Sequence, residues 1–260
     1  MGERDSPHAD HSVARVISST RVSEVPSVMI EIIGPTVSPF VVKILAAADY
    51  KRLAYTHTEQ VSVRELKKYN PDTGKVPIVL FDGEAVYDST VILRRFDQAQ
   101  PTPALLSEDA NIAAQQRMLE DWSDESLYWH LMAFRWHPKN EHRTIAQNSQ
   151  FVPAPVRLFA KPLLRRLVGN LAKAQGLGRL PYAMLIAELG HRLDDLVLLL
   201  GKQPFFYADR PSVADFAIYG QFATGCTGGV TPDFAEQVSQ RTTLVDWRRR
   251  VEEAIVQEES

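Results

Sequence analysis

Three short clusters in this chain carry groups able to hold a ligand. Ser38, followed by Pro39 and Phe40, places a hydroxyl at a helix start, and Asp88-Ser89 places a carboxylate and a hydroxyl at another. Lys75-Val76-Pro77 stands directly before the apolar run IVLF at residues 78–81. Serine is a good N-cap and proline a good first helical residue. Proline has no backbone N–H, so ahead of a strand it suggests a sheet edge or a cis bend. Either leaves neighbouring backbone groups free to pair with an extended ligand. The chemistry that suits these residues is recognition of a peptide-like molecule along a backbone edge.

The elements that must position these clusters follow from local patterns. Residues 29–34 (MIEIIG) read as a strand, and residues 41–50 (VVKILAAADY) repeat apolar positions at helical spacing after Ser38-Pro39. Residues 53–58 fit a second strand, and residues 63–69 a short polar helix that ends before Asn70-Pro71. Asp82-Gly83 is a hairpin signal after the Pro77 strand, and residues 86–89 lead into another apolar helical pattern. The order is strand, helix, strand, helix, strand, strand, helix.

Beyond Gln98 the Pro-containing stretch Ala99 to Pro103 reads as a linker, and the chain then becomes helical almost throughout. Residues 107–136 predict one long helix with Ser107 as N-cap and Glu108 and Asp109 in its first turn. Residues 140–155 read as a polar loop, and residues 156–174 as an amphipathic helix with Arg157, Lys161, Arg165, Arg166 and Lys173 on a solvated basic face. A helix from Pro181 to Leu200 closes at Gly201, and Ser212-Val213-Ala214-Asp215 has capping-box spacing at the start of another. Residues 243–255 predict a last amphipathic helix with Trp247 on its apolar side. The domain division expected is a flexible tail at 1–27, an α/β domain at 28–100 and an all-α domain at 104–257.

Composition restricts the function classes. With 260 residues and 45% hydrophobic content, the chain has enough material for a substantial core in two domains. A net charge of −3 predicts no general attraction to nucleic acid or anionic membrane. Cys226 is the single cysteine, which excludes an internal disulfide and fits a reducing compartment, hence the cytosol. The longest apolar runs, such as residues 196–200, fall far below the ~20 residues a membrane span needs, so no transmembrane segment is expected. His8 and His11 sit in a polar tail, and His130, His137 and His142 have no common metal-binding spacing, so no metal site is expected.

The order of elements, with Ser-Pro-Phe at the first helix and a later Val-Pro, resembles the thioredoxin-like domain of glutathione transferases. Ser38-Pro39-Phe40 looks like the tau-class motif and falls where the omega class has its cysteine. DWSDESLYWHLMAFRW (121–136), QGLGR (175–179) and GKQPFFYADRPSVADFAIYGQF (201–222) are similar to the failed-axon-connections and metaxin-related branch. The resemblance covers most of residues 28–253.

What the resemblance implies is specific. Ser38 would be the catalytic residue, its hydroxyl donating to the thiolate of glutathione, the co-substrate. The Val76 backbone beside Pro77 would pair with the cysteinyl part, Asp88 and Ser89 would hold the γ-glutamyl end, and Lys75 would reach the glycyl carboxylate. A serine oxygen cannot form the mixed disulfide that a cysteine there would, so thiol transfer should be weak. Tyr128, Trp129 and Arg135 on the long helix are the expected lining for a small hydrophobic electrophile. A homodimer is the default assembly for this architecture. The alternative is a binding or scaffold protein that keeps the fold, with or without the glutathione pocket, and has no turnover.

Overall fold

The computed structural model describes residues 28–149 and 170–256. The tail at 1–27 and the basic residues Arg157, Lys161, Arg165 and Arg166 lie outside the described residues. Strand β1 (Ile30–Ile33) is followed by α1 (Pro39–Tyr50), β2 (Tyr55–Thr58), α2 (Val63–Tyr69), β3 (Ile78–Phe81), β4 (Glu84–Tyr87) and α3 (Ser89–Ala99). The strands form one sheet in the order β2-β1-β3-β4. Strands β1 and β2 are parallel, whereas β3 runs antiparallel to both β1 and β4. This is the thioredoxin-like α/β arrangement that the order of patterns in the sequence implies.

Local chemistry accounts for the pieces. All four residues of β3, IVLF, are buried, as expected for an inner strand covered on both faces. Asp82 and Gly83 both adopt positive φ (50° and 88°), the conformation a two-residue hairpin requires, and they join β3 to β4. Helix α2 is polar and carries a capping box in which Ser62 Oγ accepts from the Glu65 N–H at 3.2 Å and Glu65 accepts from the Ser62 N–H at 2.8 Å.

The remaining described elements are α4 (Ala110–Trp122), a π-helical segment at Ser123–Leu127, α5 (Tyr128–Arg135), α6 (Glu141–Ser149), a 3-10 turn at Leu177–Arg179, α7 (Tyr182–Leu200), α8 (Val213–Gly225), α9 (Pro232–Ser239) and α10 (Thr242–Val256). Helix α8 is buried along its whole length and packs against α1. The contact is close because of Gly220: a Cβ there would stand 2.3 Å from the Pro39 carbonyl oxygen. The bare backbone of α8 thus sets where the first turn of α1, and with it Ser38, sits against the helical region.

A buried carboxylate holds the helical layer together. Asp215 accepts from the Ser212 N–H (2.9 Å), the Ser212 hydroxyl (2.9 Å), the Phe206 N–H (3.0 Å) and Trp247 Nε1 (2.8 Å). The expected capping residue therefore also reaches α10, through a fully buried tryptophan.

Three expectations differ from the structure. The long helix over 107–136 is interrupted by the π-helical segment, where one widened turn displaces the register of the side chains that follow. Its N-cap is Asp109, whose carboxylate accepts from the Asn111 (2.8 Å) and Ile112 (3.1 Å) amides, and Ser107 instead accepts from the Asp109 N–H at 3.2 Å. The polar stretch read as a loop forms helix α6 over its described part. Thr144 there donates to the Arg135 carbonyl, at 2.5 Å, so a tertiary bond overrides a weak pattern.

Candidate functional site

A cavity of about 250 Å³ lies where the loop before β3, the start of α3 and the α4 end of the helical region meet. Lys75, Val76, Pro77, Asp88 and Ser89 line it, together with Phe40 of α1, Asn70, Thr73, Tyr87 and Thr90. Asp121, Asp124 and Glu125 form its wall on the helical side. Ser38, Tyr128, Trp129 and Arg135 are not among the lining residues.

The Val76 edge is open. The Val76–Pro77 bond is cis, and neither the N–H nor the C=O of Val76 has a hydrogen-bond partner among the described residues. The loop behind it is fixed by Asn70, which donates to the Lys75 carbonyl (3.0 Å) and to Thr73 Oγ1 (2.6 Å) and accepts from the Thr73 N–H (3.1 Å). Tyr87 donates to Asp72 and ties the same loop to β4. An unpaired backbone edge beside a rigid loop suits an extended peptide-like ligand.

Asp88 is the N-cap of α3. Its Oδ1 accepts from the Thr90 (3.1 Å) and Val91 (3.3 Å) amides, and its backbone sits at φ 73°, ψ 120°, a conformation that costs a non-glycine residue about 1–3 kcal/mol. Strain of this kind recurs where a turn must present groups to a ligand. Asp88 is exposed and its second carboxylate oxygen takes no hydrogen bond from the described residues. Ser89 follows as the first helical residue and is buried.

Beneath Ser89 lies a charge cluster that local patterns did not reveal. Lys43 of α1 is 1% exposed, and its ammonium group donates to Ser89 Oγ (3.2 Å), Glu120 Oε1 (2.7 Å) and Asp124 Oδ2 (2.6 Å). Thr90 Oγ1 donates to the same Glu120 oxygen at 2.9 Å. The cluster therefore ties α1, α3 and α4 at one point. Burial alone would pull Lys43 down, but the Asp124 and Glu120 charges together raise it above the usual lysine value. A signal was present: Lys43 is the only charged residue between Pro39 and Ala48, in a stretch otherwise apolar on every side. A lysine so placed must be buried and must find carboxylates.

Asp124 titrates as an outlier. Burial pushes its carboxyl up to about 6, against the pull of Lys43. An acid raised in the folded state favours the fold in its protonated form. Its contribution is fully present below its ordinary value of 3.8 and is lost as pH rises through about 6. Between about pH 4 and 7 the unfolding free energy of the parent is expected to fall by about 3 kcal/mol more than that of Asp124→Asn. Denaturant melts at stepped pH check this, and parallel profiles for the two proteins would contradict it. Asp215 is also pushed up to about 6 by burial, so the difference between the two proteins, not the parent slope, isolates Asp124.

Ser38 occupies the N-cap of α1 by its backbone, with the Val42 N–H bonded to its carbonyl at 3.1 Å, yet its hydroxyl makes no capping bond. The side chain is half-buried and its proton is not committed to any described partner. Arg135 is buried and supports the approach to this residue: its guanidinium donates to the Val37 carbonyl (3.0 Å) and to the Thr224 carbonyl of α8 (2.9 Å). Burial brings it down to about 10. Tyr128 packs on Phe40 with ring centroids 4.9 Å apart and on Trp129 at 5.2 Å, so it stands one ring behind the cavity wall.

The other reactive side chains lie elsewhere. Burial pushes the Cys226 thiol up to about 12, which keeps it protonated and unreactive. His130 is buried, with Nδ1 2.9 Å from the Ser126 carbonyl oxygen. Among the described residues no group of three histidine, cysteine or acidic side chains is placed to hold a metal ion, and no helix is long and apolar enough to cross a membrane.

Comparison with known proteins bears on this geometry. Residues 33–104, which contain Ser38, the cis Val76–Pro77 bond and Asp88-Ser89, match the family model described as glutathione S-transferase, N-terminal domain. The β-etherase LigF of Sphingobium is 22% identical, over 85% of this chain and 94% of that one, with a TM-score of 0.59. The fold is that of the glutathione transferases. A tau-class glutathione S-transferase of mango is 18% identical over 85% of this chain and 87% of that one, with a TM-score of 0.53. A glutathione S-transferase of Methylobacterium radiotolerans, solved with glutathione sulfonate, is 20% identical over 86% of this chain and 90% of that one, with a TM-score of 0.55. A search of curated proteins found no match. The family match spans the N-terminal residues 33–104, and the architecture shared over most of the chain is the glutathione transferase fold. Among the classes within it they do not single out the tau, omega or metaxin-related branch.

Proposed function

We propose that this protein binds glutathione in the cavity between β3 and α4 and conjugates its thiolate to an electrophile, in the manner of a detoxifying transferase. The observation that carries the reading is the convergence of Lys75, Val76, Pro77, Asp88 and Ser89 on one cavity with the Val76 backbone unpaired. The tripeptide would lie extended along Val76, with its γ-glutamyl end at Asp88-Ser89 and its glycyl carboxylate toward Lys75. Its sulfur would point to the start of α1, where the Ser38 hydroxyl and the helix N-terminus stabilise a thiolate. A free thiol of pKa about 8.5 is only a few per cent ionised at neutral pH, so this stabilisation is the catalytic contribution required of the protein. Tyr128 and Trp129 would border the electrophile from behind Phe40. We place the protein in the cytosol, in keeping with its single, half-buried thiol, and take it to be a homodimer.

A second reading has its own support. Ser38 does not line the cavity, and the helical wall that faces it is acidic rather than apolar. Both features suit a protein that retains a glutathione pocket for binding or assembly without turnover. Assay of the folded chain against aryl halides, epoxides and enals, alongside calorimetric titration with glutathione, separates the two. Binding with conjugation supports the transferase, and binding alone supports the second reading. Absence of binding removes both.

A further inference from the structure

We propose that Lys43 is a positioning residue that holds the Ser89 hydroxyl as a hydrogen-bond donor toward the cavity, and so selects a carboxylate at the γ-glutamyl end of the ligand. This rests on the reading of the cavity as a glutathione site and deepens it.

The argument begins with donor inventory. An ammonium group has three N–H bonds and no lone pair, so it can only donate. All three directions of Lys43 are occupied, by Ser89 Oγ (3.2 Å), Glu120 Oε1 (2.7 Å) and Asp124 Oδ2 (2.6 Å). Lys43 therefore takes a lone pair of Ser89 and leaves the serine proton to find another acceptor. The acceptor nearest to hand is Asp124 Oδ2, at 3.5 Å, well beyond the normal O–H···O range of about 2.5–3.0 Å. Ser89 lines the cavity, so an oxygen anion arriving there meets a hydroxyl already oriented to donate.

The two carboxylates have a distinct task. They outweigh the charge of Lys43 and fix it, and the Thr90 hydroxyl bonded to Glu120 at 2.9 Å locks the same turn of α3 to α4. The ligand then meets a neutral, oriented donor rather than a mobile cation. A lysine reaching the ligand directly would attract any anion. A serine set by a buried lysine reads a single oxygen at a fixed place.

The test uses the full chain and two ligands: glutathione, and its analogue with the γ-glutamyl α-carboxylate converted to a carboxamide. Calorimetry is expected to show the parent favouring glutathione by about 5- to 10-fold, the difference between a hydrogen bond to a charged and to a neutral acceptor. Lys43→Met alone strands two carboxylates, so it is combined with Glu120→Gln and Asp124→Asn. In that triple variant the preference is expected to drop to about twofold, and adding Ser89→Ala is expected to change it no further. A merely structural role for Lys43 would lower affinity for both ligands equally, and an unchanged preference in the folded triple variant overturns the proposal. Should the triple variant not fold, a crystal structure of the parent with glutathione decides. Lys43 Nζ within about 3.3 Å of Ser89 Oγ, with Ser89 Oγ about 2.7 Å from a ligand carboxylate oxygen, supports it. Ser89 turned to the ligand amine overturns it. Failure of the parent to bind either ligand overturns the site itself, and is distinguishable from equal binding of both, which overturns only the role of Lys43.

Discussion

Asp215→Ala is expected to destabilise the protein by about 4 kcal/mol or more, enough to leave a domain of ordinary stability close to unfolding. The substitution removes a single carboxylate but strands four donors: two backbone amides, a serine hydroxyl and the Trp247 indole. Each is buried, and a buried donor without a partner costs about 1–3 kcal/mol, partly recovered by relaxation and water entry. The damage is spread over three elements, because Phe206 precedes α8, Ser212 caps it and Trp247 belongs to α10. Asp215→Asn is the informative control. It keeps an acceptor for Trp247 and Phe206 but turns an NH2 toward the Ser212 amide and hydroxyl, so a loss of about half that size is expected. Urea melts check both values, and an Asp215→Ala protein within about 1 kcal/mol of the parent would contradict the role assigned to this carboxylate.

Ser38→Ala should lower conjugation by about 10- to 100-fold in kcat/KM while leaving glutathione affinity nearly unchanged. The expectation follows from the state of the hydroxyl, which sits at the N-cap without making a capping bond and so is available to a sulfur anion. Loss of one charge-assisted hydrogen bond is about 1.5–3 kcal/mol, and the helix N-terminus would supply the remaining 0.3–1 or so. The bound thiol is accordingly expected to titrate about one to two units higher in the variant, read from thiolate absorbance as a function of pH. Because Ser38 is only an N-cap by backbone, the substitution should cost little stability, which separates its chemical role from a folding one. An alanine variant that conjugates at the parental rate would remove Ser38 from the mechanism.

Much of this architecture was legible in the chain because its signals are local. Ser38-Pro39, Asp82-Gly83 and the alternation of strand and helix patterns each act within a few residues, and the structure places elements where they indicate. The Ser212–Asp215 spacing likewise fixes a helix start on its own. What local patterns could not convey is pairing across elements. Glu120 and Asp124 are four apart, a spacing with no meaning of its own, and only Lys43, 77 and 81 positions away, makes them a buried cluster. The π-helical turn at Ser123–Leu127 was equally invisible, since its composition permits a continuous α-helix. That turn follows directly on Trp122 and contains Asp124 and Glu125, which line the cavity where aromatic residues were expected. Arg135, from its place on the long helix, is predicted to be a pocket residue. It instead spends its guanidinium on two backbone carbonyls, one of them the residue before Ser38.

The most direct measurement is calorimetric titration of the folded chain with glutathione, alongside Ser89→Ala. Saturable binding at one site per chain is expected, weakened about tenfold or more by the loss of the serine hydroxyl. A folded parent that takes up no glutathione, or a Ser89→Ala protein that binds it with parental affinity, would contradict the assignment of this cavity.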